Sequence, residues 1–130
     1  MKTADLHISP YQKLLGLELL SADDNGVSIR LPSNAKLLRV EGSSQLHGGV
    51  LSALIDIAGS YAVEVTVGGD APTIDLRIDY LKPAMGEVIA TARVLKRGRT
   101  LCVADVEIRD AQQKLVATGR GLYANSNRSE

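Results

Sequence analysis

The sequence predicts an α+β domain in which one long apolar helix is covered by antiparallel strands. Three observations predict it. Residues 48–66 form an almost unbroken apolar run, opened by Gly48-Gly49 and closed near Gly68-Gly69. From Thr73 onward the pattern switches to a period of two, the spacing of strands with one face inward. Finally, the helix stands alone among strands, and helices segregated to one face of an antiparallel sheet define this class. A helix apolar on most sides needs more than a flat sheet to cover it. A curved sheet wrapped around it would do so, as would partial cover by a second subunit.

The elements follow in order. Residues 9–15 read as a short helix, with Ser9 as cap and Pro10 at the first helical position. Leu17, Leu19 and Ser21 alternate with Glu18 and Leu20 up to Asp23-Asp24-Asn25-Gly26, where Asn-Gly signals a hairpin. Val27 to Leu31 is the returning strand. Residues 33–46 form a polar loop with Leu37 and Leu38 turned inward, and the long helix follows. After it, Ile74, Leu76, Ile78 and Tyr80 alternate with Asp75, Arg77 and Asp79. Val88 to Val94, Leu101 to Ile108 and Leu115 to Tyr123 complete an expected meander of about four long strands. The polar tail, residues 125–130, reads as disordered.

Composition excludes several function classes. At 130 residues the chain reads as one domain, residues 1–130, with its core at about 15–124. Lys+Arg and Asp+Glu are 15 each, so no net field draws in nucleic acid or an anionic membrane. Without Phe or Trp there are few stacking platforms for single-stranded nucleic acid. The single cysteine, Cys102, fits a reducing compartment and reads as a small core residue on an alternating strand. The N-terminal stretch lacks a signal pattern, and Asp56 with the flanking glycines makes the apolar helix a poor membrane span. A cytoplasmic protein is expected. His7 and His47 are far apart and outside any Cys/His spacing, so no metal site is expected.

The chemistry centres on the helix. Its first turn carries unsatisfied N–H groups and positive partial charge, and Gly48 and Gly49 would let a substrate approach closely. An oxyanion-type site is one reading and a tight loop-to-helix turn the other. Asp56 poses a similar choice. Ser52, Asp56, Ser60 and Glu64 recur every fourth residue, one stripe along the helix. The stripe either meets water or faces a pocket or partner, where a carboxylate removed from water is a stronger base.

The string His47-Gly48-Gly49, the apolar helix with a carboxylate seven residues after its second glycine, and Thr73-Ile74-Asp75-Leu76-Arg77-Ile78-Asp79-Tyr80-Leu81-Lys82-Pro83 together resemble the hotdog-fold acyl-CoA thioesterases of the phenylacetate-degradation type. Residues 94–100 and 117–121 extend the resemblance over roughly residues 15–124. It implies a central helix wrapped by a curved antiparallel sheet, no cofactor, an acyl-CoA substrate with an aromatic or medium-length acyl group, and active sites at a dimer interface. Matched position by position, Gly48 would be the backbone donor to the thioester carbonyl. Asp56 would be the nucleophile or general base, and Thr73 the hydroxyl that holds the attacking water. The family's amide side chain six residues before the histidine is replaced here by Glu41, which cannot donate a hydrogen bond unless protonated. Gln45 stands nearby as a substitute.

His47 offers a titrating imidazole but reads as hydrogen-bonding the loop that sets the helix start, with Gly49 beside it. Lys96, Arg97 and Arg99 around Gly98 are either a solvated turn or a landing site for coenzyme A phosphates, which suit guanidinium forks. Gly48 and Asp56 are eight residues apart on one helix, about 12 Å along its axis. One chain therefore cannot bring both to a single carbonyl, and a homodimer or dimer of dimers with shared sites is expected. Two alternatives stand beside hydrolysis: a hotdog dehydratase or hydratase, in which His47 would shuttle a proton, and a non-catalytic acyl-CoA-binding module.

Overall fold

A computed structural model describes Leu6 and residues 9–127. His7 and the end of the polar tail, residues 128–130, lie outside the described residues. The chain runs α1 (Pro10–Leu15), β1 (Glu18–Asp23), β2 (Gly26–Leu31), a 3-10 turn at Ala35–Leu37, α2 (Gly48–Val67), β3 (Thr73–Tyr80), β4 (Val88–Arg97), β5 (Leu101–Asp110) and β6 (Leu115–Ala124). Among the described residues this is a hotdog fold: a six-stranded antiparallel sheet around one long helix.

Local signals explain most boundaries. The Ser9 hydroxyl accepts from the Tyr11 and Gln12 amides at 3.2 and 3.5 Å, capping α1 as expected. In the β1–β2 turn the Asn25 amide donates to Asp23 Oδ1 at 2.7 Å, so the aspartate side chain closes the turn. Helix α2 stops where Gly68 takes a left-handed φ of 75°, its N–H returning to the Glu64 carbonyl at 2.8 Å.

The core lies between α2 and the concave face of the sheet. Leu54, Ile55, Ala58 and Val63 on the helix are sealed from solvent, as are Ile29, Leu31, Ala90, Ala92, Cys102, Ala104 and Ile108 on the strands. Fully burying one of the larger aliphatic side chains is worth about 1.5–3 kcal/mol. Helix α2 is long and apolar enough to cross a membrane, but here it is the core helix of the sheet.

Two expectations are corrected. The last four strands do not form a meander: the sheet order is β1-β2-β4-β5-β6-β3. Strands β4, β5 and β6 follow one another, while β3 lies at the far edge against β6, and β4 pairs with β2. The reason lies in residues 81–87, which are too long for a tight hairpin. They are tied to the loop before α2 by Leu46 N–H to the Ala84 carbonyl (2.8 Å) and Gly86 N–H to the Ser44 carbonyl (3.1 Å). The polar tail is also ordered as far as residue 127. Asn125 is buried and donates through its backbone to the Thr100 carbonyl at 2.8 Å and through Nδ2 to the Gly98 carbonyl at 3.1 Å. Ser126 Oγ donates to the Asp70 carbonyl at 2.5 Å and Asn127 Nδ2 to the Val67 carbonyl at 2.8 Å. A helix end leaves carbonyls without intrahelical partners, and Asn127 supplies a donor for the one at Val67, the last residue of α2.

Candidate active site

The start of α2 is built by His47. Its Nδ1 accepts the Gly49 N–H at 2.9 Å, which makes the imidazole the helix cap and fixes Nδ1 as an acceptor. Its own N–H donates to the Leu37 carbonyl at 2.9 Å, holding the preceding loop. The Gly48 N–H, by contrast, has no acceptor among the described residues. Tyr80, at the end of β3, donates its hydroxyl to the Gly48 carbonyl at 3.0 Å and lays its ring over the Gly48 Cα. A groove of about 380 Å³ opens here, lined by Gln45, Leu46, Gly48, Leu51, Tyr80 and Lys82 among others. Gln45 is half-buried in it, while Glu41 stands exposed in the turn ahead and does not line it.

The middle of α2 presents the carboxylate. Ser52, Asp56, Ser60 and Glu64 are all half-buried, so the stripe is neither dry nor fully solvated. Asp56 Oδ1 accepts the Thr73 hydroxyl at 2.5 Å. A β-bulge makes this contact possible. In β3, Leu76 and Ile78 pair with Gly121 and Gly119 of β6 and face the helix. Strict alternation would point Thr73 outward. The register shifts between Thr73 and Asp75, so Thr73 pairs with Tyr123 and meets Asp56 while remaining exposed. Further along the stripe, burial pushes the Glu64 carboxyl up; the Ser60 hydroxyl, 3.3 Å away, partly offsets this, and Asp70 adds to it.

Arg97 and Arg99 lie elsewhere. They flank Gly98 in a second groove of about 260 Å³ completed by Asn125 and Asn127, and Asn127 is bonded to the last residue of α2. A 20-residue helix is about 30 Å long, so this groove and Gly48 sit at opposite ends of α2. One chain thus brings together Asp56 with Thr73, Gly48 with His47, Gly49 and Gln45, and Arg97 with Arg99. It does not join those three groups. Two residues that sequence reasoning missed touch them, namely Tyr80 at Gly48 and Tyr123 at Asp56. Tyr123 is sealed from solvent, and burial together with the nearby Asp56 carboxylate pushes its phenol far above the usual range. The run Gly119-Arg120-Gly121-Leu122-Tyr123, small residues then a ring on one strand face, was the signal available for it.

Residues 44–117, more than half the chain, match the model of the thioesterase superfamily. The chain belongs to that superfamily. The sequence is 36% identical over 111 residues to the acyl-coenzyme A thioesterase PaaI of Escherichia coli, covering 84% of this chain and 77% of that protein. The solved structure of PaaI superposes with a TM-score of 0.76 at 34% identity, covering 86% of this chain and 85% of that one. The medium/long-chain acyl-CoA thioesterase YigI of E. coli is 28% identical over 130 residues, covering 88% and 84%. The crystal structure of a thioesterase from Haemophilus influenzae superposes with a TM-score of 0.85 at 25% identity over 99% of this chain and 95% of that one. The expected fold and the expected class, a thioester hydrolase, both stand.

Proposed function

We propose that this protein hydrolyses acyl-CoA thioesters at sites shared between two subunits, with the whole chain serving as one hotdog domain. The observation that carries the reading is the 2.5 Å contact between the Thr73 hydroxyl and Asp56 Oδ1 on the half-buried stripe of α2. The Gly48 N–H, at the positive end of α2, polarises the thioester carbonyl and holds the oxyanion. Asp56 of the partner subunit acts on the carbonyl carbon, either directly as nucleophile or by taking a proton from water. Thr73 donates to one carboxylate oxygen, and its own oxygen can accept from that water. When Asp56 is the base, water forms the new C–O bond, the C–S bond breaks, and the proton taken from water passes to the departing thiolate. When Asp56 is the nucleophile, its oxygen displaces the thiolate to give an acyl–aspartate anhydride, which a water then hydrolyses; that water supplies the proton to the thiolate and restores the carboxylate. Either way the products are the free acid and coenzyme A.

Two features support the shared site. The first is the spacing of Gly48 and Asp56, about 12 Å along one rigid helix. The second is the edge of β3, which leaves Ile74 and Tyr80 exposed beside unpaired backbone, a surface that another chain can cover. On this reading the assembly is a homodimer or a dimer of dimers. His47 and Gly49 shape the helix start and Gln45 supplies the amide in the groove, while Arg97 and Arg99 receive the phosphates of coenzyme A. His47 spends Nδ1 on the Gly49 N–H, which favours hydrolysis over a hydratase that needs a mobile proton there.

The test is release of thiol from short, medium, long and aromatic acyl-CoAs with a chelator present, with binding measured in parallel. Turnover without added metal or redox cofactor is expected. Tight binding of acyl-CoA with no thiol released from any of them would establish the binding-module alternative instead.

A further inference from the structure

Tyr123 is a buried titratable group outside the proposed chemistry, and its surroundings are shaped around it. A Cβ on Gly59 would stand 2.2 Å from the Tyr123 hydroxyl oxygen, and one on Gly121 would stand 2.3 Å from it. Gly59 lies inside α2, where glycine is among the weakest helix formers. The chain thus keeps a helix-weakening residue where the phenol needs room.

The hydroxyl so admitted donates to the Asp56 carbonyl at 3.3 Å. The backbone of Tyr123 pairs directly with Thr73 across the β3–β6 ladder. One residue therefore grips both members of the Asp56–Thr73 contact, the helix by its side chain and the strand by its main chain. The geometry points to Tyr123 as a positioning residue that sets the Asp56 carboxylate against the Thr73 hydroxyl, acting through the helix turn and not on the substrate. The phenol stays protonated under working conditions, so it remains a donor throughout.

This inference rests on Asp56 being the reacting carboxylate, and the test separates the two. Tyr123→Phe removes one oxygen from a slot that the ring still fills. With the fastest acyl-CoA of the panel, kcat is expected to fall about 5- to 10-fold, the scale of one lost hydrogen bond, with KM within about twofold. In a Thr73→Ala background the same change should cost less than about twofold, because the hydroxyl then has no pair to align. A crystal structure of Tyr123→Phe should show the Thr73–Asp56 contact broken or the carboxylate in more than one rotamer, a result independent of any substrate.

Unchanged kcat with an unchanged carboxylate would overturn the inference. So would a loss that is equal in both backgrounds or that falls on KM, which marks general loosening, and so would failure of Tyr123→Phe to fold, which assigns the hydroxyl to the fold alone. If Asp56→Asn is inactive while Tyr123→Phe is normal, only this inference fails. If Asp56→Asn is fully active, the proposed site fails with it.

Discussion

The first turn of α2 and its middle carry the two halves of the proposed reaction, and neither holds both. The first turn offers a free N–H at Gly48, a capped Gly49 and a groove containing Gln45, but no carboxylate. The middle offers Asp56 with a hydroxyl at 2.5 Å, but no backbone N–H to hold an oxyanion, because helical amides there are spent on the helix itself. The contrast teaches that a rigid helix separates the groups it carries by a fixed distance. On the proposed reading, a second copy running the other way closes that distance.

Asp56→Asn is expected to have the largest effect. The near-isosteric amide should leave the fold intact and lower kcat about 10²- to 10⁴-fold, the range for losing an acid–base group. Steady-state thiol release and circular dichroism check it. Unchanged kcat would return the stripe to an ordinary solvated face.

Subunit mixing tests the separation itself. Gly48→Pro removes the N–H at a first-turn position that tolerates proline, and the residue before it already has an extended ψ of 138°. Each variant alone should be nearly inactive. An equal mixture, after exchange, should regain about a quarter of wild-type activity, because a heterodimer gathers both defects into one site. If exchange is confirmed and activity stays at the sum of the parents, the shared-site model is wrong.

Thr73→Ala should cost less, about tenfold in kcat, since it removes a hydrogen bond to the carboxylate and leaves the carboxylate in place. At the other half, Gln45→Ala should raise KM or lower kcat by several-fold, whereas Glu41→Gln, exposed and outside the groove, should stay within about twofold. Faster turnover by Glu41→Gln would instead make that position a drifted amide.

The smallest effect concerns Glu64. Its folded pKa is raised, chiefly by burial, so the native state holds that proton more tightly than the unfolded chain. Stability is therefore lost as pH rises from the ordinary carboxylate range through the raised value, and the cost persists above it. Glu64→Gln should raise Tm by no more than about a few degrees at pH 7, because Glu64 keeps solvent contact that screens the penalty. The gain should vanish in acid. A Tm that falls equally at both pH values would refute it.

Local features of the fold could be read from the residues. Ser9-Pro10, Asn25-Gly26 and Gly68 mark boundaries through their own backbone preferences, and Val27-Ile29-Leu31 declares its inward face by alternation. The candidate site draws on such signals at the His47-Gly48-Gly49 start and along the stripe through Asp56. What could not be read depends on distant partners. Thr73-Ile74-Asp75 continues the alternation smoothly, so nothing local announces the bulge that brings Thr73 to Asp56. Asn125 and Asn127 read as a loose tail because the carbonyls they satisfy, at Gly98 and Val67, are far away in sequence. The place of β3 beside β6 was hidden for the same reason.

That placement has a consequence for the order in which the chain is made. Among the described residues, strand β3 has a single neighbour in the sheet, β6, which follows it in the chain by some 40 residues. At about 5–20 residues per second, β3 waits on the order of seconds before its partner exists. During that interval Ile74, Leu76 and Ile78 have no strand beside them, and α2 lacks the wall that Tyr123 provides. Until β6 emerges, β3 has no strand to pair with and can misassociate, and the Thr73–Asp56 contact waits on that strand.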